Sequence, residues 1–482
     1  MTSLPEVPAP EAIAGHHQQS RQRHRRGVRL IWSLLIGFGL LIVCTPLLLF
    51  LAWNARGRSL LRAELAQIKA AGQPITTAEM AEYYKVPAGT PDITDIWVAA
   101  IAPFDTPEFN KGCLHLPFVG TNKVEPPPLD QPLPAQDEQA IRDWLTLHQA
   151  QFAGVYAAAR TPGEVRYRRD FRGGIFTLLP EAQHIRIVVR ALALEFEILA
   201  REDDLTAAFE NLEASFIAGE TVRHEPFIVS VLIRVATHST VLKNIRKLAD
   251  TNRLSDKQLA RLQELVRKID IHGQMGDAIL GERATCYHAY HLNVAFVPNL
   301  DVATDEYFET SHDVRKVNRP EDCAVSLKFL AELHAAAEQP LPDFLKASED
   351  CQATLEQLVA DQSIVSRLRY AMTRTLLPAL GPIAVADGRG EVLRDLTDAA
   401  LAARRYHLKH DKLPQTLADL TPDFLPRVPI DPYDGQPLRL LVQHDQLVIY
   451  SIGRDRRDDG GTFDPVQQEP DIGVEIKLPA AQ

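Results

Sequence analysis

The chain has 482 residues, of which 45% are hydrophobic and 24% are charged, and its formal net charge is −11. This balance is sufficient to bury a core over two or three domains, and it excludes a chain that is disordered throughout. The excess of acidic residues also argues against nucleic acid as a partner, because binding to phosphates requires lysine and arginine to dominate some face.

A basic cluster near the N-terminus leads into a long apolar segment. Five arginines lie between positions 21 and 29, and residues 30–53 contain no charged side chain. As a helix this segment is about 36 Å long, more than the roughly 30 Å hydrocarbon core of a bilayer. Trp32 and Trp53 lie near its two ends, where indole rings favour the membrane interface. We predict a transmembrane helix over residues 30–53 that follows a disordered basic tail, residues 1–29.

Arginine placement predicts the orientation of this helix. Three arginines follow the segment, at positions 56, 58 and 62, against five before it. The positive-inside bias then puts the N-terminus in the cytoplasm and everything after the helix outside. A cleaved signal peptide is the alternative, but its apolar region would span only about 7–15 residues. The predicted location is the cytoplasmic (inner) membrane, crossed once, with the lipid bilayer as a partner.

Residues 58–380 read as a series of helices. Apolar side chains recur at helical spacing through most of this region. Capping boxes at Thr76-x-x-Glu79 and Ser255-x-x-Gln258 mark two helix starts. Each helix has one apolar stripe to bury, so antiparallel helical hairpins with short turns are the expected arrangement. We predict a helical extracytoplasmic body whose helices include residues 136–159, 320–337 and 364–377, with a polar connector over residues 299–318.

Two clusters in the body could carry chemistry. Cys286, His288 and His291 follow Glu282 at spacings that could place metal ligands on one helix, but zinc needs three or four converging ligands, so packing and surface hydrogen bonds are the preferred explanation. Residues 166–172 alternate arginine with aromatic rings and could receive an anion, or could pair with nearby acids.

Four cysteines lie beyond the apolar segment, which itself contains Cys44. They allow two disulfides in any of three pairings, or buried free thiols, and the sequence does not choose among these. The four are Cys113, Cys286, Cys323 and Cys351.

The last hundred residues change character after proline and glycine at positions 378, 381 and 382. A helix over residues 390–410 and a short helix over 417–424 precede two predicted strands, 437–443 and 446–451, joined as a tight hairpin. The sequence therefore predicts a mainly α chain with a small α+β module at residues 385–482.

The motifs of this tail resemble a known family. Their order and spacing, over about 85 residues, are similar to the C-terminal domain of the major pseudopilin of type II secretion systems. The motifs are Tyr406-x-x-x-His410-Asp411-x-Leu413-Pro414, Pro429-x-Asp431-Pro432-Tyr433-Asp434-Gly435-x-Pro437 and Ile449-Tyr450-Ser451-Ile452-Gly453-x-Asp455. The layout of anchor, helical body and tail is also similar to membrane-anchored proteins that are frequent in planctomycete-type bacteria.

The pseudopilin resemblance implies one structural calcium ion in the loop that follows the second strand. By position, Asp455 and Asp471 are the implied ligands, beside the Ile452 carbonyl. Calcium prefers carboxylate and carbonyl oxygens, which agrees with this set. The arginines in the same loop could instead neutralise the acids without a metal. Further acids of the loop are Asp458, Asp459 and Asp464, and its arginines are Arg454, Arg456 and Arg457.

No catalytic motif accompanies these features. The sequence contains no GxSxG, P-loop or Rossmann glycine pattern. We expect an envelope scaffold or interaction protein with unidentified envelope partners and assign no catalysis. An accessory of a type II secretion or pilus-like system is the alternative, although the prepilin glutamate is absent: Trp32 stands at the fifth position after Gly27. An envelope hydrolase is a second alternative, because paired carboxylates leave no local signature.

Overall fold

The computed structural model describes residues 10–118, 125–291, 320–443, 446–464 and 467–477. These residues are mainly helical, with one small antiparallel sheet near the C-terminus, as predicted. The polar connector that we predicted over residues 299–318 lies outside the described residues.

The first helix, α1, is continuous over Pro10–Ala70 and passes through Pro46. It begins within the segment predicted to be a disordered tail, where alanine, glutamine and arginine favour helix. Large apolar side chains between residues 34 and 51 are exposed, whereas Ile68 near the other end is buried in the core. One helix thus joins an exposed apolar half to a docked half.

The body consists of helices joined by short turns. They are α2 (Thr77–Tyr83), α3 (Thr94–Ile101), α4 (Pro107–Leu114), α5 (Ala135–Leu147), α6 (Gln149–Ala159), α7 (Pro180–Arg201), α8 (Leu205–Glu220), α9 (Ile228–Asp250), α10 (Asp256–Arg267), α11 (Met275–His291), α12 (Pro320–Ala337), α13 (Leu341–Ala360), α14 (Ile364–Arg369) and α15 (Ala371–Leu376). The predicted capping box at Thr76 is present, since the Glu79 amide donates to its hydroxyl at 3.1 Å.

Two large apolar cores hold these helices. One core is built from buried residues between positions 93 and 233. The other extends from Ile68 through α9 to α13 and into the C-terminal sheet. By length and composition, two described helices could cross a membrane, over Leu34–Ala70 and Ile228–Asp250. The second of these is α9, which is mostly buried between α7, α8 and the tail helix.

The tail begins with the long helix α16 (Gly381–His410), followed by strands β1 (Arg439–Gln443), β2 (Gln446–Ser451) and β3 (Ile472–Lys477). The strands pair antiparallel in the order β1-β2-β3. The sequence predicted β1 and β2 and missed β3. Helix α16 packs on β2 and β3 and also on α9 and α10. The tail therefore shares the larger core with the body.

Candidate functional site

The end of the exposed apolar segment is held against the body by a buried carboxylate. Trp53 donates its indole N–H to Glu321 at the start of α12, and the Nε of Arg369 donates to the same carboxylate at 3.0 Å. Burial acts to raise the pKa of Glu321, but the hydrogen bonds from Arg369 and Trp53 outweigh it and leave the pKa below its ordinary value. Glu321 is therefore ionised at neutral pH and joins α1 to the body.

Close helix packing reinforces this junction. A Cβ added to Gly57 would lie 3.0 Å from the backbone nitrogen of Glu321. Glycine at this position lets α1 approach the first turn of α12 more closely than any other residue would. The apolar half of α1 is thus connected to the body by helix and hydrogen bonds rather than by a flexible linker.

The arginine and aromatic run at residues 166–172 is neutralised within the chain. Each guanidinium in it has a carboxylate partner, and the side chain of Arg169 is almost fully buried. Of the two alternatives for this run, the described residues therefore favour internal pairing over a surface for an external anion. The pairs are Arg166 with Glu164, Arg168 with Asp95, Arg169 with Glu181 and Glu225, and Arg172 with Asp170.

The Cys286 and histidine cluster does not converge on one point. Cys286 is buried, and burial raises the pKa of its thiol to about 12. The Nδ1 of His291 donates to the Tyr287 carbonyl at 2.7 Å, and Glu282 accepts from the Ile228 amide at 3.1 Å. Across the described ranges, no group of three or more His, Cys, Asp or Glu side chains is arranged to hold a metal ion.

All five cysteines are free thiols. Cys286 and Cys323 are buried, and Cys113 and Cys351 are half-buried. The four cysteines of the body are therefore unpaired in the structure, and no disulfide forms among them.

The loop after β2 uses its acids to hold its own backbone and to bind a side chain of β2. The Oδ2 of Asp471 accepts from the Gly461 amide at 2.8 Å, and the Oδ1 of Asp458 accepts from the Tyr450 hydroxyl at 3.0 Å. Asp455 is exposed, and its Oδ1 accepts from the Arg457 amide at 3.0 Å.

The remaining residues implied by the resemblance lie in the same loop. The Asp459 amide faces Asp471 Oδ1 at 3.5 Å, and Asp464 accepts from the Gln467 amide at 2.6 Å. The Ile452 amide donates inward to Asp431 at 3.0 Å. Calcium in this loop stays a prediction, because none of these contacts requires or prevents it.

Sequence reasoning missed the role of Asp431 in the tail. Its buried carboxylate accepts from the Ser451 hydroxyl at 2.9 Å and from the amides of Ile452 and Tyr433 at 3.0 Å each, and it pairs with Arg439. The acid thus ties the turn before β1 to the end of β2. Its position in an Asp-Pro-Tyr-Asp-Gly turn was the available signal.

Comparison of the chain with family models, with curated proteins and with solved structures finds no match. Conclusions about function therefore rest on the chain's own residues and geometry.

Proposed function

We propose that this chain is a membrane-anchored extracytoplasmic scaffold or interaction protein of the bacterial cell envelope. In this proposal residues 30–53 cross the bilayer once, and the remainder folds on the far side from the cytoplasm. The proposal assigns no catalysis.

The exposed apolar half of α1 is the observation that carries this proposal. Leu41 and Leu49 are 63% and 65% exposed, and their apolar neighbours along the helix are similarly uncovered. Removing a leucine side chain from water is worth about 1.5–3 kcal/mol, so a run of such residues strongly favours a hydrocarbon environment. A bilayer supplies that environment, and a helix satisfies its own backbone hydrogen bonds there.

The junction supports a fixed geometry for the anchored protein. Trp53 would lie at the outer interface of the bilayer, where an indole can keep its N–H bonded to a polar group. Here that group is the carboxylate of Glu321 on the body. The body would therefore be held directly above the lipid surface, as a scaffold requires.

Fractionation of cells that express the full-length chain tests the anchor. We expect the protein to stay in the membrane pellet after alkaline carbonate extraction and to require detergent for release. Recovery of the intact chain in the soluble fraction without detergent would contradict the anchor.

Labelling with a membrane-impermeant maleimide tests the orientation. Leu147 is 77% exposed in the body, and Leu147→Cys gives the reagent an accessible thiol. In intact spheroplasts we expect labelling of this variant well above that of the unsubstituted chain, whose body cysteines are buried or half-buried. Labelling that appears only after lysis would place the body in the cytoplasm instead.

A further inference from the structure

A cleft of about 610 Å³ lies between the C-terminal half of α9, the middle of α16 and strand β3. It is unusual in a chain of net charge −11, because cations dominate its lining. Five cationic side chains face two carboxylates there: Lys243, Arg246, Lys247, Arg389 and Arg404 against Asp250 and Glu475. Such a concentration of one sign attracts oppositely charged ligands.

Arg246 is a cation of this cleft that forms no ion pair within the described part of the chain. Its Nη1 donates to the Thr397 hydroxyl at 2.8 Å, and no carboxylate in the described part of the chain lies within ion-pair distance. The nearby acid Asp250 pairs with Arg404 instead. Burial lowers the pKa of Arg246 to about 10, and the field of Asp250 only partly offsets this.

Other cations of the cleft already have partners. Lys247 pairs with Glu197, and Lys243 pairs with Glu125. A guanidinium has five N–H donors in a planar fork that fits a carboxylate or phosphate through two parallel hydrogen bonds. Arg246 therefore keeps donors available where its paired neighbours only contribute to the field.

Apolar side chains from three elements share the rest of the lining with Ser239, Thr462 and Gln468. Leu393 and Leu401 on α16, Ile476 on β3 and Phe463 in the preceding loop line the same cleft. Pockets for small molecules commonly span about 300–1,000 Å³ and combine apolar walls with a few polar anchors. The volume of this cleft falls in that range, and its lining carries more charge than such pockets usually do.

We propose that this cleft binds a small organic anion, with its carboxylate or phosphate group on Arg246 and its apolar part against the α16 and β3 side chains. The inference is independent of the membrane anchor, because every lining residue lies in the body or tail. A bound anion would supply the counter-charge that Arg246 lacks within the protein.

Calorimetric titration of the full-length protein in detergent tests the site, with phenyl phosphate and hexanoate as the two probes and chloride as the background anion. We expect saturable binding of at least one probe. The probe that binds more tightly shows whether the site prefers a phosphate or a carboxylate group. Arg246→Gln should weaken that binding at least about tenfold, because a hydrogen bond to a charged group is lost. Inorganic phosphate should bind more weakly than phenyl phosphate, since it cannot use the apolar walls.

Two further variants make the result decisive. Lys243→Glu reverses a half-exposed charge at the cleft without disturbing the core, and it should also weaken binding. Arg168→Gln removes an exposed arginine outside the cleft and should leave binding unchanged. Absence of saturable binding of both probes, or full affinity in Arg246→Gln, would overturn the proposal.

Discussion

Two of the described helices are long and apolar enough to cross a membrane, yet one is exposed and the other is buried. The segment that begins at Leu34 exposes its apolar side chains, whereas α9 is mostly buried in the body. The difference lies in a few polar positions. Arg234 and His238 interrupt α9, and both bond to Glu220 on α8, whereas residues 30–53 contain no charge at all. In α9 the charged side chain finds its partner on a neighbouring helix, whereas the exposed segment has no charge that needs one.

The largest expected effect comes from removing the carboxylate that α9 requires. Glu220→Ala leaves the fully buried Arg234 without its counter-charge and removes the hydrogen-bond partner of the buried His238 imidazole. We expect a loss of about 3–5 kcal/mol in the free energy of unfolding, because an uncompensated buried charge is strongly unfavourable. Urea unfolding in detergent measures it. Glu213→Ala, which breaks an exposed pair with Arg261, should lose less than about 1 kcal/mol. Equal losses would show that α9 does not depend on its buried charges.

The converse change adds a charge to the exposed apolar segment. Leu41→Arg should disfavour membrane insertion by about 2.5–3.5 kcal/mol, the cost of arginine at a helix centre. It should leave the unfolding of the body in detergent unchanged, because Leu41 contacts no core. Carbonate extraction and urea unfolding measure the two effects, and Leu41→Ala serves as the uncharged control. Destabilisation of the body by Leu41→Arg would mean that this segment packs like α9.

The junction between these two environments should respond to pH. Glu321→Gln removes the charge that accepts from Trp53 and Arg369, and we expect a loss of about 1.5–2 kcal/mol at neutral pH. Since the folded pKa of Glu321 lies below its ordinary value, its contribution is present above the ordinary pKa and is lost as pH falls through the folded one.

Unfolding of the two proteins at several pH values checks this. The stability gap between wild type and Glu321→Gln should close on acidification. A gap that keeps the same size from neutral pH down to the acid limit of the folded state would show that the charge plays no part in the junction.

The smallest expected effect concerns an exposed carboxylate. Asp455 makes one backbone hydrogen bond, so Asp455→Ala should change stability by less than about 0.5 kcal/mol without calcium. With calcium we expect the melting temperature of wild type to rise and that of Asp455→Ala to rise less. Identical melting of wild type in calcium and in EDTA would rule out a structural ion. Asp471→Asn is the matched comparison, because it weakens the Gly461 contact with or without metal.

Local sequence signals were sufficient for most helices. Helix α12 begins at Pro320 and ends at Ala337, as predicted. The predicted helix over residues 136–159 is divided at His148, and the one over 364–377 is broken at Tyr370. Strand β3 was missed because apolar and charged residues alternate only from Val474 to Lys477, which is too short a run to predict a strand by pattern alone.

The candidate sites depended on partners that are distant in sequence. Trp53 and Glu321 are 268 positions apart, and the sequence around either residue gives no signal that predicts their contact. The cleft around Arg246 likewise needs α9, α16 and β3 to meet. Such pairings follow from how helices pack, which one sequence does not specify.

The sequence by itself determined what periodicity and capping control: the run of uncharged residues 30–53, the helical body and the α+β tail. Only the tertiary structure decided which apolar helix was buried, which arginines found carboxylates and which thiols stayed unpaired. The physical reason is the distance along the sequence over which each interaction acts. Helix and strand formation depends on neighbours within a few positions, whereas burial and charge pairing depend on contacts between segments hundreds of residues apart.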